Sequence, residues 1–223
     1  ESLVNAIDLS SHDENTAFAA VTRYKFDDLT PMAYKTVDNG NSWASIVNGI
    51  ADGHFVRVLR QDPVNDQVLY AGTEGGLYIS FNQGAKWHAF QLNLPICPIT
   101  DLTFQDNDLI VATSGRAFWI LDDLGPIQQT GGNLDSTAFK LFSPKPSFKY
   151  SSAPDAGSPP PLQGQNPANG VIVDYQLAAS WKKQMALTLE VLNSDGQVIR
   201  TLTSDEPKKV KSWEGGPSPE PRL

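Results

Sequence analysis

A stretch of ten residues recurs. Tyr34-Lys35-Thr36-Val37-Asp38-Asn39-Gly40-Asn41-Ser42-Trp43 is matched, 44 positions on, by Tyr78-Ile79-Ser80-Phe81-Asn82-Gln83-Gly84-Ala85-Lys86-Trp87. An aromatic, a hydroxyl, an Asp or Asn, a Gly and a Trp keep one register in both. Self-similarity at a period near 40 residues marks a repeat architecture, in which each repeat buries its apolar face only against its neighbours. A third copy is read at Phe118-Trp119-Ile120-Leu121-Asp122-Asp123-Leu124, 40 residues beyond the second. It keeps the aromatic and Asp122, and lacks the hydroxyl, the Gly and the closing Trp.

Each copy sits among short segments rich in β-branched and aromatic residues and bounded by Asp, Asn, Gly and Pro, the composition of strands. The first repeat offers Ala6 to Leu9, Ala17 to Val21, Ala33 to Thr36 and Trp43 to Val47. The second offers Phe55 to Leu59, Val68 to Gly72, Leu77 to Ser80 and Trp87 to Phe90. The third offers Ile99 to Phe104, Leu109 to Thr113 and Ala117 to Leu121, with Pro126 to Gln128 a poor fourth. Four short antiparallel strands per repeat make the blade of a propeller. The fold class expected is therefore all-β: a partial β-propeller of about three four-stranded blades over residues 1–142, followed by part of a β-sandwich.

Between 143 and 169 the chain is rich in Pro, Ser, Gly, Gln and Asn, with Phe148 and Tyr150 embedded, and reads as a linker. Residues 170–223 resume strands with another rhythm, at Val171 to Leu177, Met185 to Asn193 and Val198 to Thr203. Ser194-Asp195-Gly196-Gln197 supplies a hairpin turn, because Asp-Gly tolerates the positive φ of a two-residue loop. From Asp205 onward the Pro- and Gly-rich tail reads as extended.

Composition narrows the function. A net charge of -8 without a Lys/Arg stripe argues against nucleic acid as a partner, since phosphate binding needs clustered cations. Lys208, Lys209 and Lys211 form the one basic patch, in the tail. Cys97 is the single cysteine, so no intrachain disulfide or Cys-based metal site forms, and His12, His54 and His88 lack metal spacing. No apolar run approaches the ~20 residues that span a bilayer. No cofactor fingerprint is present.

In Thr36-x-Asp38-x-Gly40-x-x-Trp43, and in Ser80, Asn82, Gly84 and Trp87 of the second copy, hydroxyl and carboxylate or amide hydrogen-bond within a strand-connecting turn. The Gly takes a left-handed conformation and the Trp packs between blades. At these residues the chain resembles the Asp-box, or bacterial neuraminidase repeat, propellers, a group that includes sialidases, xyloglucan-degrading glycosidases, the luminal domain of sortilin and photosystem II assembly factors. Tyr70 to Ser80 and Gly115 to Leu124 look like the closing blades of bacterial sortilin-like or glycosyl-hydrolase-like repeat proteins. In that group an immunoglobulin-like sandwich follows, and Gly170 to Thr203 is similar to its opening strands. The resemblance implies Asp boxes that are structural, on the rim away from the ligand face, and secretion or periplasmic export. Three blades do not close a ring of the usual four to eight, so the remaining blades of the same polypeptide are expected as partners.

Ligand contacts in a propeller gather at the central channel. His54, Arg57 and Arg60 surround the innermost strand of the second repeat, Asp101 opens that of the third, and Glu74 and Arg116 occupy matching turns. Arg57, Glu74, Asp101 and Arg116 are the ligand-binding candidates: an Arg would hold a carboxylate, and an acid pair would serve a glycosidase. Asp122-Asp123 is a poor pair, since adjacent strand residues face opposite ways. Asp13-Glu14-Asn15 and Asp106-Asn107-Asp108 read as acidic turns. Two functions follow: a non-catalytic scaffold binding a protein, peptide or glycan, or a glycoside hydrolase of the sialidase or xyloglucanase type whose acids lie largely outside this chain.

Overall fold

Strands form where apolar residues alternate between turn signals. In the computed structural model, which describes residues 1–130, 139–147, 170–182 and 185–204, blade 1 is an antiparallel sheet of β1 (Leu3–Leu9), β2 (Ala17–Arg23), β3 (Asp28–Thr36) and β4 (Ala44–Ser45), in that order. Blade 2 repeats it with β5 (Val56–Gln61), β6 (Leu69–Thr73), β7 (Gly76–Ser80) and β8 (Trp87–Ala89). Blade 3 has three strands among the described residues, β9 (Ile99–Gln105), β10 (Asp108–Thr113) and β11 (Phe118–Leu121), with β11 at the edge. Most of the linker and the tail, with Phe148, Tyr150, Lys208, Lys209 and Lys211, lie outside the described residues.

The fourth strand expected at Pro126 to Gln128 is instead a short helix, α1 (Gly125–Gln129), with Pro126 in its first turn. Pro has no N–H to give a sheet ladder, whereas its fixed φ suits a helix start.

The ladders also correct the third repeat. Ala71 faces Tyr78 and Leu69 faces Ser80 in blade 2, while Val111 faces Trp119 and Leu109 faces Leu121 in blade 3. The counterpart of Tyr78 is therefore Trp119, not Phe118, and the counterpart of Asn82 is Asp123, not Asp122. The cause is one extra residue: Thr73 to Gly76 turns in four residues, and Thr113 to Ala117 in five. The Gly read as lost is present as Gly125, two residues after Asp123 as Gly84 is after Asn82. Asp123 Oδ1 accepts the Gly125 N–H at 3.0 Å.

Two cores hold the blades together. Between blades 1 and 2, Phe18, Ala20, Ile46 and Ile50 meet Val56, Leu59, Ala71 and Trp87. Trp87 is 2% exposed, and its indole N–H donates to Ile46 O at 2.6 Å. Between blades 2 and 3, Val58, Tyr70, Leu77 and Ile79 meet Ile99, Leu102, Leu109 and Val111. Gly72 makes the second contact feasible, because a Cβ there would lie 2.6 Å from both Ile99 Cγ2 and Val58 Cγ1. At one end a fully buried Asp62 carboxylate accepts the N–H groups of Val64 and Asn65 and the Gln128 amide of α1, while His12 Nε2 lies 2.8 Å from Asp62 O. One turn thus ties all three blades.

The outer faces of the array are apolar and open. Ile7 and Leu9 on blade 1, and Phe118 and Ile120 on blade 3, are each more than half exposed. Trp43, expected between blades, is 42% exposed: the repeat Trp packs backward onto the preceding blade, and no described blade precedes the first.

The chain divides into two compact units, Glu1–Gln176 and Leu177–Leu223. Of the strand read from 171 to 177, only β13 (Tyr175–Gln176) forms, paired with β12 (Lys140–Leu141) within the first unit. In the second unit β14 (Thr188–Leu192) and β15 (Val198–Thr203) make a hairpin. Its turn is not the two-residue form. Gly196 N–H donates to Asn193 O, and among its residues only Gly196 has positive φ, at 76°, with a bulge beside it.

The two repeat tryptophans should differ in a urea unfolding series. Trp87→Ala is expected to cost about 3–5 kcal/mol, and Trp43→Ala to stay within about 0.5–1 kcal/mol; equal losses would contradict the backward packing.

Candidate functional site

The innermost strands β1, β5 and β9 neighbour one another, β5 in the middle. Each carries a bulge at the same point. The ladders skip Asn5 between Val4 and Ala6, Arg57 between Val56 and Val58, and Thr100 between Ile99 and Asp101. A bulge places an extra residue out of the pleat and re-aims its side chain.

At the middle bulge the guanidinium of Arg57 lies 5.0 Å from the Phe55 ring centre and 5.7 Å from that of Tyr24. These two rings stack at 5.3 Å. Its Nε and Nη2 both donate to Glu74 Oε2, at 2.8 and 2.6 Å. Tyr24 comes from the β2–β3 connection of blade 1, Phe55 from the entry to β5 and Glu74 from the β6–β7 turn. Phe55 is buried, whereas the Arg57 and Glu74 side chains stay 28% and 37% exposed. The result is a half-open patch with a flat apolar wall, a cation and an anion. Beside it, Asn5 Oδ1 accepts from Thr22 Oγ1 and Thr100 Oγ1 donates to Ala112 O.

A second cluster lies further along the strands. Arg60 donates through Nη2 to Asp101 Oδ1 at 2.9 Å and through Nε to Leu102 O, and its Nη1 is 3.8 Å from Asp8 Oδ1. One guanidinium thus ties β1, β5 and β9. Asp8 also accepts the Gln61 N–H at 2.8 Å. Burial raises its carboxyl above the usual range, against the lowering pull of Gln61 N–H and of Arg60. Asp101 is 63% exposed.

Of the four ligand-binding candidates, the structure brings Arg57 and Glu74 together and joins Asp101 to Arg60. Arg116 stands apart, its Nη1 bonded to Gly115 O and its carbonyl accepting the Trp119 indole. His54 Nδ1 lies 2.8 Å from Tyr78 Oη, a packed and satisfied position. Tyr24, Phe55, Asn5, Thr100 and Asp8 were missed. Asp8 had a signal, since it occupies the Arg60 position of the first repeat; the aromatics read as core, and a bulge depends on a partner strand that no local pattern names.

The repeat turns lie at the opposite ends of the blades. Thr36 Oγ1 donates to Asp38 Oδ1 at 2.7 Å and accepts the Gly40 N–H, and Ser42 closes the turn through its N–H and hydroxyl on Asp38. Ser80, Asn82, Gly84 and Lys86 repeat the pattern. Gly40 and Gly84 have φ of 85° and 87°. Asp13 caps its own turn through Asn15 and Thr16. Among the described residues no group of three His, Cys, Asp or Glu is placed to hold a metal, and no helix is long and apolar enough to cross a membrane.

No protein-family model matches the sequence, and no curated protein matches it. Among solved structures the chain is similar to an ancestral GH74 enzyme at 23% identity over 51% of this chain and 14% of that one, with a TM-score of 0.42. It is similar to the GH74 enzyme of Niastella koreensis at 18% identity over 65% of this chain and 24% of that one, TM-score 0.44. A third is YCF48 bound to D1 peptide, 16% identical over 55% of this chain and 38% of that one, TM-score 0.40. The chain spans well under half the length of each.

Hydrogen bonds from Ser42 and Thr36 hold the Asp38 carboxyl down to about 2. A depressed carboxylate stabilises the fold above its unfolded value near 3.8 and loses that contribution as pH falls toward 2. Thermal unfolding should therefore separate wild type from Asp38→Ala at pH 5 and bring them together near pH 2; a gap that persists at pH 2 would refute the charge's role.

Proposed function

We propose that this chain is a non-catalytic binding module of the propeller kind, which recognises a protein, peptide or glycan ligand at the bulged end of its inner strands. The observation that carries this reading is the setting of Arg57. A bulge aims its guanidinium over two stacked rings. Glu74 engages one edge, and Nη1 has no partner among the described residues. An Arg with free donors beside an aromatic wall suits a carboxylate or carbonyl next to a flat or apolar group. Glu74 and Asp101 are each neutralised by an Arg rather than set against one another, which favours recognition over acid–base chemistry. The turns at Thr36 to Trp43 and Ser80 to Trp87 are proposed as Asp boxes, structural staples on the far side. Export to the periplasm or outside the cell belongs to the same proposal.

One observation supports the glycoside hydrolase reading. Asp8, a channel-strand carboxyl raised by burial, shares Arg60 with the exposed Asp101, the contrast in environment that separates an acid from its partner.

Peptide and glycan arrays probed with wild type and Arg57→Ala test the first reading. Binding is expected to drop about tenfold or more on losing Arg57, and to survive Arg116→Ala. Binding indifferent to Arg57 would overturn the site. Turnover of a chromogenic glycoside that Asp8→Asn or Asp101→Asn abolishes would replace the binding reading with the catalytic one.

A further inference from the structure

The repeat shows what the fold requires at the bulged ends of the inner strands. The ladders put Leu3, Phe55 and Pro98 in one register position, Asn5, Arg57 and Thr100 in a second, and Thr22, Glu74 and Ser114 in a third. The third position always meets the first: Glu74 N–H donates to Phe55 O, Ser114 N–H donates to Pro98 O, and Leu3 faces Thr22 across the ladder. In blade 1 the second and third positions form a short polar pair, Thr22 Oγ1 donating to Asn5 Oδ1, and in blade 3 Thr100 bonds locally to Ala112 O. Small polar side chains therefore suffice for the fold. Among the described blades only blade 2 sets two long, oppositely charged side chains there, Arg57 and Glu74.

The hairpin of blade 1 departs from the repeat at the same junction. Val21 and Met32 are the counterparts of Thr73 and Gly76. Residues 22–31 connect the first pair, against 74–75 in blade 2, and the longer connection carries Tyr24 across to stack on Phe55. Tyr24, Phe26 and Leu29 stand exposed along it. Glu74 takes the Nε edge of Arg57, with both donors on Oε2, and so holds the outward edge, shared by Nη1 and Nη2, beside open ring surface. The turn that carries Glu74 is itself clamped: a Cβ on Gly75 would lie 2.1 Å from His54 Cε1, and one on Gly76 2.3 Å from Gln91 Oε1.

We infer, resting on the reading of this end as a binding site, that it takes a carboxylate carried next to an aromatic ring, and that Glu74 is its positioning residue rather than a ligand contact. The outward edge of a guanidinium presents parallel N–H donors, which match the paired oxygens of a carboxylate better than a single carbonyl oxygen. Tyr24 and Phe26 supply open ring surface for the ligand's own ring. The described chain that follows blade 3 does not supply the acid. It is bonded at the opposite end of the blades, through Ser143 N–H on Gln129 and Lys145 on Asp106 O.

The test follows the Arg57 Nε–H signal of the whole isotope-labelled chain by NMR, assigned by its loss in Arg57→Lys, as hydrocinnamate, its amide or acetate is added. Affinity is read in parallel from the small molecule's own resonances. Hydrocinnamate is expected to shift the Arg57 signal saturably, at a concentration about fivefold or more below that of acetate, and the amide to leave it in place. Glu74→Ala should broaden the signal and weaken hydrocinnamate about threefold to tenfold, with the thermal midpoint almost unchanged, because the pair is half-exposed. Glu74→Gln, whose amide oxygen still accepts both donors, should restore the sharp signal and the binding. Tighter binding by Glu74→Ala would make Glu74 a competitor and overturn the positioning role. Equal shifts from acid and amide would overturn the ligand class. So would no shift from either, the result if an acid of this chain already fills the edge. The binding-module reading fails separately, if no array ligand depends on Arg57.

Discussion

The indole of Trp87 is the contact on which the array of blades depends. A blade is a sheet with two apolar faces, and burying a face against a neighbouring blade stabilises it. Trp87 covers part of one by reaching back from the fourth strand of blade 2 to the loop after β4, and it satisfies its own N–H on Ile46 O. Its burial links a local turn to an inter-blade core. Ser80, Asn82 and Gly84 set the angle at which the chain enters β8, so a short hydrogen-bonded turn determines where the largest buried side chain lands.

The repeat turns and the bulges occupy opposite ends of the blades. At one end lie the repeat turns and the Asp62 carboxylate, whose partners come from its own turn and from α1. Burial and the nearby Asp62 raise the Tyr70 hydroxyl's pKa, so that it stays a neutral donor. At the other end the bulges of β1, β5 and β9 bring side chains out of the pleat, and Arg57 there is only partly enclosed. In the proposed binding module, the hydrogen-bonded turns at one end would hold the polar groups at the other in place.

Much of this was legible in the sequence, for local reasons. Strand positions followed from β-branched and aromatic runs between turn residues, and the repeat fixed their order. The bonding of Thr36, Asp38 and Gly40 could be read because all three act within one turn. What failed depended on distant parts of the chain. The extra residue in the Thr113 to Ala117 turn displaced the third copy by one position, hiding Asp123 and Gly125. Pro126 made a helix of the strand expected there. Trp43 and Trp87 carry the same motif, yet their burial differs because it depends on the preceding blade. Arg57 was singled out from its place near an inner strand, while the aromatic wall of Tyr24 and Phe55 emerges only when two blades meet.

Hydrogen exchange at the Trp87 indole N–H, followed by NMR, tests the account most directly. If that bond closes the cooperative unit, it opens only with global unfolding. Its exchange free energy should then equal the stability measured by denaturant, while the Trp43 indole exchanges freely. Rapid exchange at Trp87, comparable with Trp43, would show that the blades do not depend on this contact.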